Sequence, residues 1–90
     1  MGEVKFLTNK PVRERDRSTS PDDLLQMGLD CALGRSGPVE LVQAHKWFNL
    51  AVHAGSVKAI RLRAEVAEQM SLQDISQAQK AARDWLQYQS

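Results

Sequence analysis

Apolar residues in this chain recur at intervals of three and four rather than in alternation, which predicts helices and no strands. Leu41, Ala44, Trp47, Phe48 and Ala51 fall on one helical stripe, and Ala59, Leu62, Val66 and Met70 on a second. A third, broader stripe carries Leu72, Ile75, Ala78, Ala82, Trp85 and Leu86. The opposite side of that last segment holds Gln73, Gln77, Lys80, Asp84 and Gln87. Such a polar outer face is what the terminal helix of a stack requires.

Boundary signals divide the pattern into four helices. Ser20-Pro21-Asp22-Asp23 supplies an N-cap serine, a proline at the first helical position and acids in the first turn. The helix it opens is expected to reach Leu33 and stop at Gly34 in the left-handed conformation. Gly37-Pro38-Val39-Glu40 is expected to open the second helix in the same way, with Ala54-Gly55 closing it. Ser56 then caps a third helix ending near Met70, and Ser71-Leu72-Gln73-Asp74 reads as a capping box for the fourth, with Asp74 in the usual place of Glu. Residues 1–20 combine scattered charge, Pro11 and the polar run from Arg17 to Ser20, with little apolar periodicity. They are read as a flexible, disordered N-terminal tail, since a strand over Val4–Leu7 has nothing to pair with. The helical domain is placed at residues 21–88.

The helices repeat. Glu40-Leu-Val-Gln-Ala-His-Lys46 aligns with Asp74-Ile-Ser-Gln-Ala-Gln-Lys80, thirty-four positions further on. Leu41 meets Ile75, Gln43 meets Gln77, Ala44 meets Ala78 and Lys46 meets Lys80. Trp47-Phe48 stands opposite Ala81-Ala82, and Ala51-Val52 opposite Trp85-Leu86, so bulk moves by one turn while the apolar positions are kept. The first helices align less closely, with Gly28 opposite Ala64 and Cys31 opposite Ala67. We read one helix–turn–helix unit used twice.

Gly28, Gly34, Val39, Ala44, Trp47, Ala51, Ala54, Gly55 and Ala59 together resemble the Sel1-like repeat, a relative of the tetratricopeptide repeat with small residues and one Trp at fixed places. The stretch from Ala44 to Ala51, followed by Gly55, is especially similar to small bacterial members. The likeness covers about residues 24–59 as a full repeat and 59–88 as a degenerate second one. It departs at Cys31, where the family has an aromatic, and at Pro38-Val39, which reverses the usual order; the second unit also lacks both helix-ending glycines. The resemblance implies an all-α fold of two tandem antiparallel helix–turn–helix units, four helices forming a short right-handed α/α superhelix. It also implies a regulatory or scaffolding role through protein binding.

Glycine inside a helix costs about 1 kcal/mol relative to alanine, so Gly28 needs a purpose. Close approach of the second helix is the expected one, with the Trp47 ring filling the space beside it. Gly28→Leu is expected to unfold or rearrange the protein.

Composition narrows the chemistry. Ninety residues is one domain. The first twenty residues carry five Lys or Arg against three Asp or Glu, and the rest carry seven against eight. The helical part thus lacks the basic excess of a nucleic-acid binder, although the tail around Arg13–Arg17 is basic. Cys31 is the single cysteine, which excludes an internal disulfide and a multi-thiolate metal site. No run approaches the roughly 18 apolar residues of a membrane span, and the start has no signal-peptide core. A soluble, cytoplasmic protein is expected.

No catalytic, cofactor-binding or metal-binding residue is assigned. His45 and His53 are the only histidines; eight residues on a helix turn about 80° past alignment, so they do not converge on a metal, and one edge and one solvated histidine are expected. Cys31 is read as a minor packing residue, and Gly34-Arg35-Ser36-Gly37 as a helix–helix turn. Arg63 is read as an arginine whose stem packs while its head reaches solvent or an acid. The function expected is binding of a protein or peptide on the concave surface lined by the first helix of each unit. By the family's geometry, Met27, Asp30, Arg61, Arg63 and Glu65 form that surface. The alternative is a self-associating protein that stacks into a homodimer through an open repeat end.

Overall fold

The structure, a computed structural model, describes residues 20–89, so the segment read as a tail lies outside the described residues apart from Ser20. Four helices follow one another: α1 (Pro21–Leu33), α2 (Leu41–His53), α3 (Val57–Ala67) and α4 (Leu72–Gln89). No strand occurs among the described residues. The class is all-α.

Local chemistry accounts for most boundaries. The Asp23 N–H donates to Ser20 Oγ at 3.2 Å, and Pro21 occupies the first turn, where its missing N–H costs nothing. At the other end Gly34 takes φ 69° and the Arg35 N–H donates to the Asp30 carbonyl at 3.0 Å, the six-to-one bond of a Schellman stop. Ser56 Oγ accepts from the Ala59 N–H at 3.2 Å, and Ser71 Oγ from the Asp74 N–H at 3.0 Å. Two boundaries differ from the expectation. α2 begins at Leu41, three residues after Pro38, with Glu40 as an N-cap that makes no side-chain cap bond. The Glu40 N–H is committed to the Cys31 carbonyl at 2.9 Å, which pins the loop to the end of α1 and delays the helix. α3 ends at Ala67 rather than near Met70; the Gln69 and Met70 N–H groups turn back to Val66 and Ala67, a tightened last turn without glycine.

The packing is centred on α2, which lies against each of the other three helices, while those three make only slight contact with one another. Leu24 and Leu25 of α1, Ala44, Phe48, Leu50 and Ala51 of α2, Ala59 and Val66 of α3, and Ala82 of α4 form one buried cluster. Phe48, Leu24 and Leu50 are its largest fully enclosed side chains, each stabilising by about 1.5–3 kcal/mol on burial. α4 is held to α2 by Ala78 and Ala82 and by an edge-to-face contact of Trp47 with Trp85, ring centres 6.0 Å apart at 79°.

Gly28 does serve close approach, but the ring beside it is Phe48, not Trp47. An ideal Cβ at position 28 would overlap that ring, 2.5 Å from Cδ1 and 3.1 Å from Cζ. Successive residues on α2 are turned about 100° apart, so Phe48 faces α1 while Trp47 looks toward Trp85 of α4.

Candidate functional site: an apolar groove between the first helices

Where α1 and α3 flank the central helix they leave a recess of about 350 Å³. Leu29, Ala32 and Leu33 of α1 form one wall, continued by Val39 of the loop. Leu62, Glu65, Val66 and Gln69 form the other, and Leu41 and Phe48 of α2 close the floor. The lining is apolar apart from Glu65 and Gln69. Leu33 and Val39 stand 60 % and 56 % exposed at its edge, although both are large enough to have been buried had anything covered them. The volume sits near the lower end of the roughly 300–1,000 Å³ typical of ligand sites, and its walls offer shape and hydrophobic contact rather than reactive groups.

The residues assigned to the surface from the sequence are placed as follows. Glu65 lies on the groove wall, and Arg61 approaches it at 3.8 Å on the exposed side of α3. A pair this exposed contributes little. Met27 packs against the core. Asp30 pairs with Arg35 at 3.0 Å and lines a smaller hollow of about 180 Å³ at the α1–α2 turn, beside Cys31 and Glu40. Arg63 reaches neither solvent alone nor an acid: its Nη1 donates to Asn49 Oδ1 at 2.6 Å, tying α3 to α2. The structure thus brings Arg61 and Glu65 together and keeps Asp30 apart from them. The apolar wall residues were not assigned. Their signal was present as Leu29, Ala32 and Leu33 on α1 and Leu62 and Val66 on α3, each at helical spacing.

His45 is neither at an edge nor solvated, being 3 % exposed with Nδ1 unpartnered. Three helices cover α2, so its buried arc is far wider than one stripe and takes in Leu50 and His45 on its two margins. Burial first, and the positive charge of Arg63 second, hold the His45 pKa below its ordinary value. His53 is exposed, as expected. Burial, then the negative charges of Glu40 and Asp30, push the Cys31 thiol up, which disfavours the thiolate a nucleophile needs. Burial lowers the Lys46 pKa; its Nζ lies 4.0 Å from the centre of the Trp47 ring.

Among the described residues, no group of three His, Cys, Asp or Glu side chains is placed to hold a metal, and no helix is long and apolar enough to cross a membrane. Comparison of the chain with protein-family models, with curated proteins and with solved structures finds no match.

Proposed function

We propose that this chain is a protein-interaction module of the Sel1-like repeat type, acting without catalysis in the bacterial cytoplasm, whose α1–α3 groove receives apolar side chains of a partner protein or peptide. The observation that carries the reading is the 350 Å³ recess with Leu33 and Val39 left uncovered at its edge. The Ala44–Ala51 stretch with Gly55, similar to Sel1-like repeats, supports it. A raised Cys31 thiol and the apolar lining of the groove favour binding over covalent chemistry.

Peptide-panel binding and pull-down with a Leu33→Asp/Val39→Asp chain test this. Both side chains are largely exposed, so stability should change by no more than about 0.5 kcal/mol each. Placing a carboxylate against an apolar ligand costs at least about 1.4 kcal/mol, so affinity should fall tenfold or more. Asp30→Lys, in the other hollow, should leave it unchanged. Full affinity in the double variant would defeat the proposal.

A further inference from the structure

The seam between α2 and α3 closes over a histidine ring that has no partner for an added proton. We propose that His45 is an acid-sensitive catch, whose protonation releases α3 from α2 and removes one wall of the groove. The release is a property of the chain without ligand, and only its effect on binding rests on the groove being a peptide site.

The ring is enclosed and short of partners. His45 is 3 % exposed, and its Nδ1 is a buried atom with no hydrogen bond. Asn49, one turn further along α2, accepts the 2.6 Å bond from Arg63 Nη1, which puts His45 on the face of α2 that carries α3. Arg63 of α3 is the charged group that acts on the ring; among the described residues none from α1, α4 or the rest of α2 does. Arg63 has no acid of its own either, since the ion pairs among the described residues are Asp30–Arg35, Arg61–Glu65 and Lys80–Asp84.

A neutral ring suits this seam and a charged one does not. An imidazolium donates from both nitrogens. Nδ1 would then be a buried cationic donor without an acceptor, beside a guanidinium and with no carboxylate to offset either charge. Burial first, and Arg63 second, accordingly hold the His45 pKa below its ordinary value, opposed only in part by a hydrogen bond to its own backbone. The ring therefore takes up a proton more readily once α3 has moved away. As pH falls below about 6.5 the open form gains on the closed one by up to about tenfold per pH unit, until the closed form is protonated too.

α3 is the helix able to yield. It commits only Ala59 and Val66 fully to the interior, whereas α1 commits Leu24, Leu25 and Gly28. It scarcely touches α1 or α4, and residues 54–56 and 68–71 tether it to helices that can stay in place. α4 keeps its own hold on α2 through Ala78, Ala82 and the Trp47–Trp85 contact. Leu62, Glu65 and Val66 leave with α3, and the groove opens on that side.

The test uses the full chain without ligand, so it is decided whether or not the groove binds a peptide. Relaxation dispersion on a labelled sample reports the open population helix by helix. Between about pH 6.5 and about pH 5.5 that population should rise by up to about tenfold at the α3 amides and the Leu62 and Val66 methyls, in step with the His45 ring shifts. The Leu24 and Leu25 methyls of α1 should stay unbroadened. In His45→Gln, which cannot titrate, the acid response of α3 should vanish. Arg63→Met keeps the stem without the charge and should shrink the response; it decides alone where His45→Gln does not fold. A response that survives His45→Gln, or that is unchanged in Arg63→Met, overturns the proposal. Equal loss of signal from all four helices at once, or no pH response in α3, overturns it too.

Discussion

Replacing Gly28 by alanine sets two effects of opposite sign against each other. In a helix interior the change stabilises by about 1 kcal/mol, because glycine gives up more backbone freedom on folding. Here the new Cβ would overlap the Phe48 ring, with Cδ1 at 2.5 Å and Cζ at 3.1 Å. That ring is 1 % exposed and shares its core with Leu24, Ala44 and Ala51. Overpacking of this kind costs about 1–3 kcal/mol, and overlap with more than one ring atom argues for the upper end. The net result expected is a loss of about 2 kcal/mol, or about 8–16 °C in Tm for a domain of this size. Thermal and urea unfolding of Gly28→Ala would measure it. The decisive comparison is the same substitution in a Phe48→Leu background, where the overlap is relieved and only the propensity gain remains. There Gly28→Ala should be neutral or stabilise by up to about 1 kcal/mol, giving a coupling of about 2–3 kcal/mol between the two positions. A rise in Tm for Gly28→Ala alone, or a coupling below about 0.5 kcal/mol, would refute the close-approach argument.

Other perturbations read different parts of the structure. The buried His45 has a pKa below its ordinary 6.5, so the unfolded chain takes up a proton first as pH falls. Stability is therefore full above about pH 6.5 and declines below it, by at most about 1.4 kcal/mol per pH unit until the folded form is protonated too. Urea midpoints at about pH 7.5 and about pH 5 should separate in the natural chain and converge in His45→Phe; an unchanged separation in the variant would exclude His45 as the cause. Gly34→Ala forces a Cβ into φ 69° and within 3.1 Å of Val39 Cγ2. It should cost about 1–2 kcal/mol, read as a lower Tm, and Gly34→Asn should cost less. Trp85→Ala removes the edge-to-face contact with Trp47 and should cost about 2–3 kcal/mol, since the side chain is only partly buried. Amide exchange should then quicken in α4 before it quickens in α1.

Legibility in the sequence followed the range of the interactions. Helix number and class were readable because most boundaries are set within five residues: Ser20, Ser56 and Ser71 cap their own first turns, and Gly34 ends α1 through its own φ. The start of α2 was misplaced for the opposite reason. Its position depends on the Glu40 N–H reaching back to Cys31, nine residues away, and nothing in Gly37-Pro38 encodes that bond. The buried state of His45 and the partner of Gly28 depend on which helices surround α2, a tertiary fact that a single stripe of alternating faces does not carry. For the surface, charged positions at outward spacing drew the assignment to Asp30 and Arg61, whereas the recess is walled by the apolar residues beside them. Of those residues, Leu62 and Val66 share a stripe with the buried Ala59 and are not told apart from core by spacing. Only the failure of α1 and α3 to close over them distinguishes them, and that is decided by the contact each makes with α2.

The dependence of α1, α3 and α4 on one central rod separates the period seen in the sequence from the unit of folding. In a tandem array each repeat leans on both neighbours in turn, and stability is the sum of what the repeats contribute and of the interfaces between them. Here the second pair of helices, α3 and α4, scarcely touch each other and lean instead on a helix belonging to the first pair. A fragment starting at Ser56 would therefore contain a whole sequence repeat and no interior, while supplying the α2 helix in trans should restore order to it. Duplicating the second unit to lengthen the protein would likewise add helices with nothing to rest on, so extension of this scaffold has to proceed by copies of the α1–α2 pair.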